Sequence, residues 1–392
     1  MPPKILKGTR ILELCHAVAG PTAGQILSDL GAEVIKVEKP DKGDIFRDLP
    51  GMGKSIFVSL NRGKKSILLD ISKEKGKNLF FNLVGTCDVL ITNLDREALK
   101  RLGIGWNDVR KRNPKIIMCE ITGFGKGPYE KIPAYDPVIQ ASSGMMSVTG
   151  TPPSTYVRSG VSISDQSAAL YCVISVLLSL IGRKESSKGS HLEVSLFDSD
   201  VFLMSYWIAF YDIFGKEPLP LGTTHLFSSP YNLFKLRDGY IYLAVNSQYQ
   251  WVNFCKALGL SFLLDDPKFK SLEDRVRRKI ELESVIQKKI LKYKFNSIFK
   301  KLKDSGVPFG PLNTVSKLLE EPHLSNRKIL LETEVEGKRV RVSQIPILIN
   351  GHRVRSSQSI PGLGEHTYIV LRDILNIKSD ELMKLRREGV LS

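Results

Sequence analysis

The alternation of strand-like and helical segments over the first 125 residues constrains this chain more than any other feature. Arg10-Ile-Leu-Glu-Leu-Cys15 reads as a strand, Pro21–Leu30 as a helix that stops at Gly31, and Glu33-Val-Ile-Lys-Val-Glu38 as the next strand. Pro21 is read at the first helical position, where its missing N–H costs nothing. Further strands are expected over Ser66–Ile71, Asp88–Thr92 and Lys115–Ile121, with a helix over 73–84. Such repetition builds an open, mostly parallel sheet with helices on both faces, which binds ligands beyond the carboxyl ends of its strands. Gly20, Lys39, Asn93 and Gly123 fall at or near such ends. The loop His16-Ala-Val-Ala-Gly20, running into a helix, suits an anion. The dinucleotide fingerprint G-x-G-x-x-G is absent.

A second feature is Asp165, which follows Val157-Arg-Ser-Gly-Val-Ser-Ile-Ser164. Residues 167–181 are almost continuously apolar or small and predict a buried helix with Asp165 at its mouth. A carboxylate there meets unpaired backbone N–H groups and the positive end of the helix dipole, which predicts that it stays ionised at neutral pH. By itself the position suits a plain helix cap as well as a reactive anion. The stretch between Pro128 and Asp165, which includes Ser142-Ser-Gly144 and Thr149-Gly-Thr-Pro-Pro153, reads as a long loop of the kind that carries function.

Glu193–Phe197 is a further strand, followed by an apolar helix from Asp198. Near Leu219 the texture changes. Pro230–Phe234 and Tyr240–Val245 read as antiparallel strands around Arg237-Asp-Gly239, and basic amphipathic helices run from about Gln248 to Lys303. Residues 1–219 are therefore expected to form a large domain and 220–320 a smaller α+β domain. The remainder, 321–392, holds a strand around Val340–Val342 and helices over His366–Leu375 and Ser379–Glu388.

Five scattered cysteines in apolar contexts (Cys15, Cys87, Cys119, Cys172, Cys255) read as reduced core residues, and no His or Cys pair has metal-ligand spacing, so no metal is expected. The net charge of +16 invites a nucleic-acid reading. The basic residues are spread along the chain, however, and no aromatic-rich RNA motif accompanies them, so no nucleic-acid partner is expected. A basic surface also suits small ligands carrying several phosphates. Met1-Pro-Pro-Lys4 does not read as a signal peptide. The longest apolar run, Ser167–Gly182, falls short of the ~20 residues that span a bilayer. A soluble cytoplasmic protein without a membrane partner is the expectation.

His16-Ala-Val-Ala-Gly-Pro21, Leu30-Gly-Ala-Glu-Val-Ile-Lys-Val-Glu38, Gly43-Asp-x-x-Arg47 and Asn61-Arg-Gly-Lys-Lys-Ser66 together resemble the class III CoA-transferases, the CaiB/BaiF family. So do Ile121-Thr-Gly-Phe-Gly125, Tyr135-Asp136, Arg158-x-Gly160-x-x-x-x-Asp165, Ser305-Gly-Val-Pro-x-Gly-Pro311 and Gly362-Leu-Gly-Glu-His-Thr367. The matches are collinear from residue 8 to 370. The resemblance implies a Rossmann-like large domain built from both ends of the chain, so that 321–392 returns to it, with the smaller domain inserted. It also implies an interlocked homodimer with active sites at the subunit interface.

By the same resemblance Asp165 is the nucleophile. An ionised carboxylate needs no base to remove a proton, unlike a serine. It would attack an acyl-CoA carbonyl to give an aspartyl anhydride, then an aspartyl-CoA thioester, and pass CoA to an incoming carboxylic acid. Coenzyme A enters as an acyl-CoA substrate, with no permanently bound cofactor. The family pattern for CoA carries over to His16, Ala17, Val18, Ala19, Lys39, Leu69, Asn93, Leu94, Arg101 and Tyr135. Lys39 and Arg101 suit phosphates; Leu69 and Leu94 suit the adenine or pantetheine.

Formyl-CoA transferases carry Gln at the place of Val18 and a glycine-rich loop where this chain has Leu226-Phe-Ser-Ser-Pro230, which argues against oxalate-specific formyl transfer. An α-methylacyl-CoA racemase shares the fold but typically carries His where this chain has Tyr135, a poor proton shuttle at neutral pH. Acyl specificity is expected in loops such as 142–156 and 222–232. Succinyl-CoA as donor with a dicarboxylic or hydroxy acid acceptor is the family-level expectation.

Overall fold

The computed structural model describes residues 4–152, 155–354 and 359–391. Met1–Pro3 at the start and Pro153 of the proline-containing stretch lie outside them. The chain divides into two compact units, one of residues 1–145, 158–215 and 325–392, the other of 146–157 and 216–324. Residues 146–157 thus leave the expected 1–219 segment and belong with the second unit.

The first unit is built on six strands: β1 (Arg10–Leu14), β2 (Glu33–Glu38), β3 (Lys65–Leu68), β4 (Val89–Thr92), β5 (Ile117–Thr122) and β6 (Ser190–Ser195). They pair in the order β3-β2-β1-β4-β5-β6, parallel throughout. Alternation along each strand feeds two cores. Ile11, Ile91 and Ile117 pack on one face and Leu12, Leu90 and Met118 on the other. Helix α1 (Ala19–Asp29) covers the first face and α2 (Glu74–Val84) the second. Pro21 is the third residue of α1, not the first, which costs nothing because the first four N–H groups of a helix lack intrahelical partners.

The stretch expected to be a loop contains α3 (Asp136–Ser142), whose second residue is Pro137, and a hairpin of Gly150–Thr151 with Thr155–Tyr156. Then comes α4 (Ile163–Ser186), with Ser162 as its N-cap, so Asp165 lies inside the first turn and is not the cap. At 24 residues α4 is long and apolar enough to cross a membrane by length and composition, longer than the apolar run suggested. Only one face is covered: Ala168, Ala169, Cys172, Val173 and Val176 are buried against the α1 side of the sheet, while Leu170, Ile174, Leu178 and Ile181 are exposed. The helix is amphipathic in placement though apolar all round, which no hydrophobicity pattern could reveal. α5 (Leu196–Leu203) and α6 (Ser205–Phe214) follow, and α6 contains no buried residue.

In the second unit, β7 (Tyr231–Lys235), β8 (Tyr240–Ala244) and β9 (Phe309–Pro311) form an antiparallel sheet in the order β9-β8-β7. Helices α7 (Gln248–Leu258) and α8 (Lys279–Ile290) contribute Trp251, Phe254, Leu282 and Ile286 to its own core.

The C-terminal segment re-enters the first unit. His366 N–H donates to the Ser66 carbonyl at 2.9 Å, and Leu68 N–H donates to Thr367 Oγ1 at 3.0 Å. These bonds satisfy the outer edge of β3 and set α9 (Thr367–Leu375) against it. The strand expected around Val340 does not join the parallel sheet. It is half of an antiparallel hairpin of Leu330–Val335 and Lys338–Ser343.

Candidate active site

The strand order reverses between β1 and β4, and the loops leaving these two strands diverge there. A cavity of about 400 Å³ opens at this point, lined by His16 after β1, Lys39 after β2, Leu69 after β3, and Leu94 and Arg101 after β4. Five of the expected CoA residues are thereby brought together by the sheet. Lys39 and Arg101 are exposed at its rim, and among the described residues neither forms an ion pair. Cations left unpaired beside an apolar floor of Leu14, Val37, Leu69 and Leu94 suit a ligand with phosphates at one end.

Four of the other five, Ala17, Val18, Ala19 and Asn93, shape the loop and do not line the cavity. Asn93 Oδ1 accepts the His16 N–H at 3.0 Å and Asn93 Nδ2 donates to the His16 carbonyl at 2.7 Å, clamping the two loops across the switch point. Ala17 has φ +64°, a left-handed conformation that a non-glycine residue keeps only where its surroundings insist. Val18 caps α1 and Ala19 begins it, and the first turn of α1 carries no acidic residue, so its unpaired N–H groups favour an anion. Tyr135 is elsewhere: it is 69% exposed, precedes α3, and does not line the cavity.

Beneath the loop lies a buried charge network that the sequence reading missed. Lys36 Nζ reaches Glu13 Oε1 at 3.0 Å, Asp44 Oδ2 at 2.9 Å and the Cys15 carbonyl at 2.9 Å, while Lys64 Nζ reaches Glu13 Oε2 at 2.7 Å. Asp44 Oδ1 in turn accepts the Phe46 N–H at 3.0 Å and faces the Ala17 N–H at 3.4 Å. Burial alone would strip the proton from Lys36, but Glu13 and Asp44 hold the ammonium well above its usual range. Burial pushes Lys64 down to about 8 despite Glu13. Burial likewise lowers His16, against the pull of Asp44, so it is neutral at pH 7. A signal existed: Glu13 and Lys36 are opposite charges inside apolar strands, and β1 and β2 pair them directly.

Asp165 is part-buried in the first turn of α4 among acidic neighbours. Asp136 Oδ1 accepts the Ser164 N–H at 2.8 Å and faces the Asp165 N–H at 3.3 Å, while Asp200 Oδ2 accepts the Ser164 hydroxyl at 2.7 Å. Burial first, then the Asp136 and Asp200 charges, push the Asp165 carboxyl up to about 7. The expectation that it is fully ionised at neutral pH is therefore corrected. The N–H groups that should have stabilised it are occupied by Asp136, and like charges replace the favourable helix field. Asp165 is not among the cavity-lining residues, yet the two regions share a core: Cys15, Ala19 and Ala23 pack with Ala168, Ala169 and Cys172.

The sequence model described as CoA-transferase family III matches residues 6–367. The chain belongs to CoA-transferase family III. It is similar to the succinate–glutarate CoA-transferase of Agrobacterium fabrum, 34% identical over 385 residues that cover 95% of this chain and 96% of the relative. It is 33% identical to the human succinyl-CoA:glutarate CoA-transferase over 401 residues, covering 99% of this chain and 90% of the relative. Among solved structures, a CaiB/BaiF family protein from Brucella suis superposes with a TM-score of 0.85 at 32% identity, covering 94% of this chain and 99% of that one. As a family III member the chain is a transferase, and its six-stranded parallel sheet belongs to the CaiB/BaiF fold.

Proposed function

We propose that this protein moves CoA from succinyl-CoA to a dicarboxylate such as glutarate through covalent intermediates on Asp165. The donor and acceptor rest on the relatives from Agrobacterium fabrum and human, which are named for succinate or succinyl-CoA and glutarate. The observation that carries the chemistry is Asp165 itself, a part-buried carboxylate at a helix mouth with no ion-pair partner among the described residues. An anion poorly stabilised by its surroundings is a strong nucleophile whenever it is ionised.

In this reading an Asp165 carboxylate oxygen attacks the succinyl-CoA carbonyl and the carbon–sulfur bond breaks, giving a mixed anhydride and CoA thiolate. The thiolate attacks the Asp165 carbonyl, releasing succinate and leaving an aspartyl-CoA thioester. The acceptor carboxylate displaces the thiolate to form a second anhydride. The thiolate then attacks the acceptor's carbonyl, giving the new acyl-CoA and free Asp165. The unpaired N–H groups at the start of α1 are suited to steadying the developing oxyanions. His16, Ala17, Val18 and Ala19 form the loop over the ligand, with Lys39 and Arg101 on its phosphates.

The test is to mix the protein with succinyl-CoA, quench with hydroxylamine or borohydride, and map the modified residue by mass spectrometry. Modification at Asp165 supports the reading. An unmodified Asp165 during turnover sinks it, and exchange of an α-proton in deuterated water instead would favour racemase chemistry. For the binding loop, Lys39→Ala and Arg101→Ala should each raise KM for succinyl-CoA by roughly 5- to 50-fold with kcat within about twofold. Unchanged KM values would remove both from the phosphate site.

Homodimerisation belongs to the same proposal. Leu170, Ile174, Leu178 and Ile181 line one exposed face of α4, and Tyr206, Tyr211, Ile213 and Phe214 are exposed on α6. An apolar surface of this extent is characteristic of a protein interface. Light scattering should give a dimer for the wild type and its loss in the Ile174→Glu/Ile181→Glu variant. A monomeric wild type with full activity would overturn the dimer.

A further inference from the structure

Asp165 is surrounded by an arrangement that the transfer chemistry does not by itself require. Asp136, the first residue of α3, is buried and directs one oxygen at the start of α4, where it accepts from Ser164 N–H at 2.8 Å and faces Asp165 N–H at 3.3 Å. Its other oxygen is held by Gln140 Nε2 at 2.5 Å, and Gln140 Oε1 accepts the Ser159 N–H at 2.8 Å, so the carboxylate cannot swing away. The two charged groups acting on Asp165 are Asp136 from α3 and Asp200 from α5, both acidic. Among the described residues, neither Asp136 nor Asp200 is paired with a cation. A plain helix start would turn its free N–H groups toward an anion.

We propose that Asp136 is the positioning residue of the Asp165 nucleophile: it occupies the N–H donors that would otherwise quench the Asp165 carboxylate and fixes a negative charge against it. The inference rests on Asp165 being the nucleophile. Geometry gives it two effects, an immobilised first turn of α4 and a carboxylate whose charge is worth spending on a thioester carbon. The raised proton affinity of Asp165 agrees in direction, since a like charge disfavours ionisation. Transfer therefore falls off on the acid side, as protonation of Asp165 removes the attacking oxygen.

The experiment uses Asp136→Asn, which keeps an acceptor oxygen for the two N–H groups and removes the charge, together with the bond that the second oxygen accepts from Gln140 Nε2. With succinyl-CoA and glutarate as probes, the acid limb of kcat/KM against pH should move down by about one pH unit. The high-pH rate should fall by roughly two- to fivefold, because a less basic carboxylate is a weaker nucleophile. Asp136→Ala, which loses cap and charge together, should be slower than Asp136→Asn at every pH. Gln140→Leu leaves Asp136 charged but removes the donor that partly screens it, and should move the limb up by a few tenths of a pH unit. That variant decides the matter if Asp136→Asn does not fold.

An acid limb unmoved in Asp136→Asn, or in Gln140→Leu if only that variant folds, overturns the positioning role. A larger downward shift in Asp200→Asn than in Asp136→Asn transfers the role to Asp200 and overturns it too. These outcomes are distinct from failure of the nucleophile itself, which would appear as wild-type protein turning over without any adduct at Asp165.

Discussion

Replacing Asp165 with alanine is expected to lower kcat for the proposed transfer from succinyl-CoA to glutarate at least about 1,000-fold, because both covalent intermediates of the proposed mechanism form on that one carboxylate. Equilibrium binding of CoA should change by less than about threefold, since Asp165 does not line the cavity of His16, Lys39 and Arg101. Retained turnover in Asp165→Ala would end the covalent mechanism. Asp165→Asn should lose activity equally while gaining stability. In the folded protein the carboxyl titrates near 7, against about 3.9 in an unfolded chain. A raised value means that folding binds the proton, so stability is whole below about pH 4 and is lost as the pH rises to about 7. The asparagine variant escapes that loss. It should therefore match the wild type near pH 4 and exceed it by about 2 kcal/mol above pH 7, after a discount for partial solvent access. Thermal melts at the two pH values measure this directly. Equal melting at both would show that the acidic cluster does not strain Asp165.

The second large effect is expected at Lys36. Its ammonium is fully buried and joins Glu13, Asp44 and the Cys15 carbonyl within 3.0 Å. Lys36→Met keeps most of the apolar stem but leaves Asp44 buried without a cation and Glu13 with only Lys64 to serve it. Breaking a buried pair in this way costs about 3–5 kcal/mol, which for a unit of this size lowers Tm by roughly 10 °C. The loss should shrink as the pH falls and the stranded carboxylates take up protons. CoA binding should weaken as well, because Asp44 and the Cys15 carbonyl are the anchors of the His16–Ala19 loop. A Tm fall below about 2 °C would show the network to be energetically idle.

Part of the candidate site's arrangement is legible in the sequence. The collinear motifs carried the family, and five of the ten residues expected for CoA do line one cavity, because β-strand ends are fixed by hydrophobic alternation and a parallel sheet brings its strand ends together. Asn93 stands at the end of β4, where its place after the strand predicts it, and there it clamps the His16 loop. Nothing local distinguishes a side chain that touches a ligand from one that clamps a neighbouring loop at 2.7 Å. Tyr135 lies outside the cavity, just before α3, in a stretch that the sequence reads as a loop.

The protonation of Asp165 was the main reversal. Its position near a helix start was readable from Ser162, Asp165 and the apolar run after it, and that position alone favours an anion. Its environment depended on Asp136 and Asp200, which are 29 and 35 residues away in sequence and meet Ser164 and Asp165 only when α3, α4 and α5 pack. The exposed face of α4 was equally hidden, since a helix apolar on every side does not announce which stripe the sheet will cover. Sequence alone determined the strand order's raw material, the family and the identity of the nucleophile candidate, because these reside in local pattern and motif. Tertiary structure decided which charges confront one another, because burial and electrostatic coupling act through space between residues that no local pattern connects.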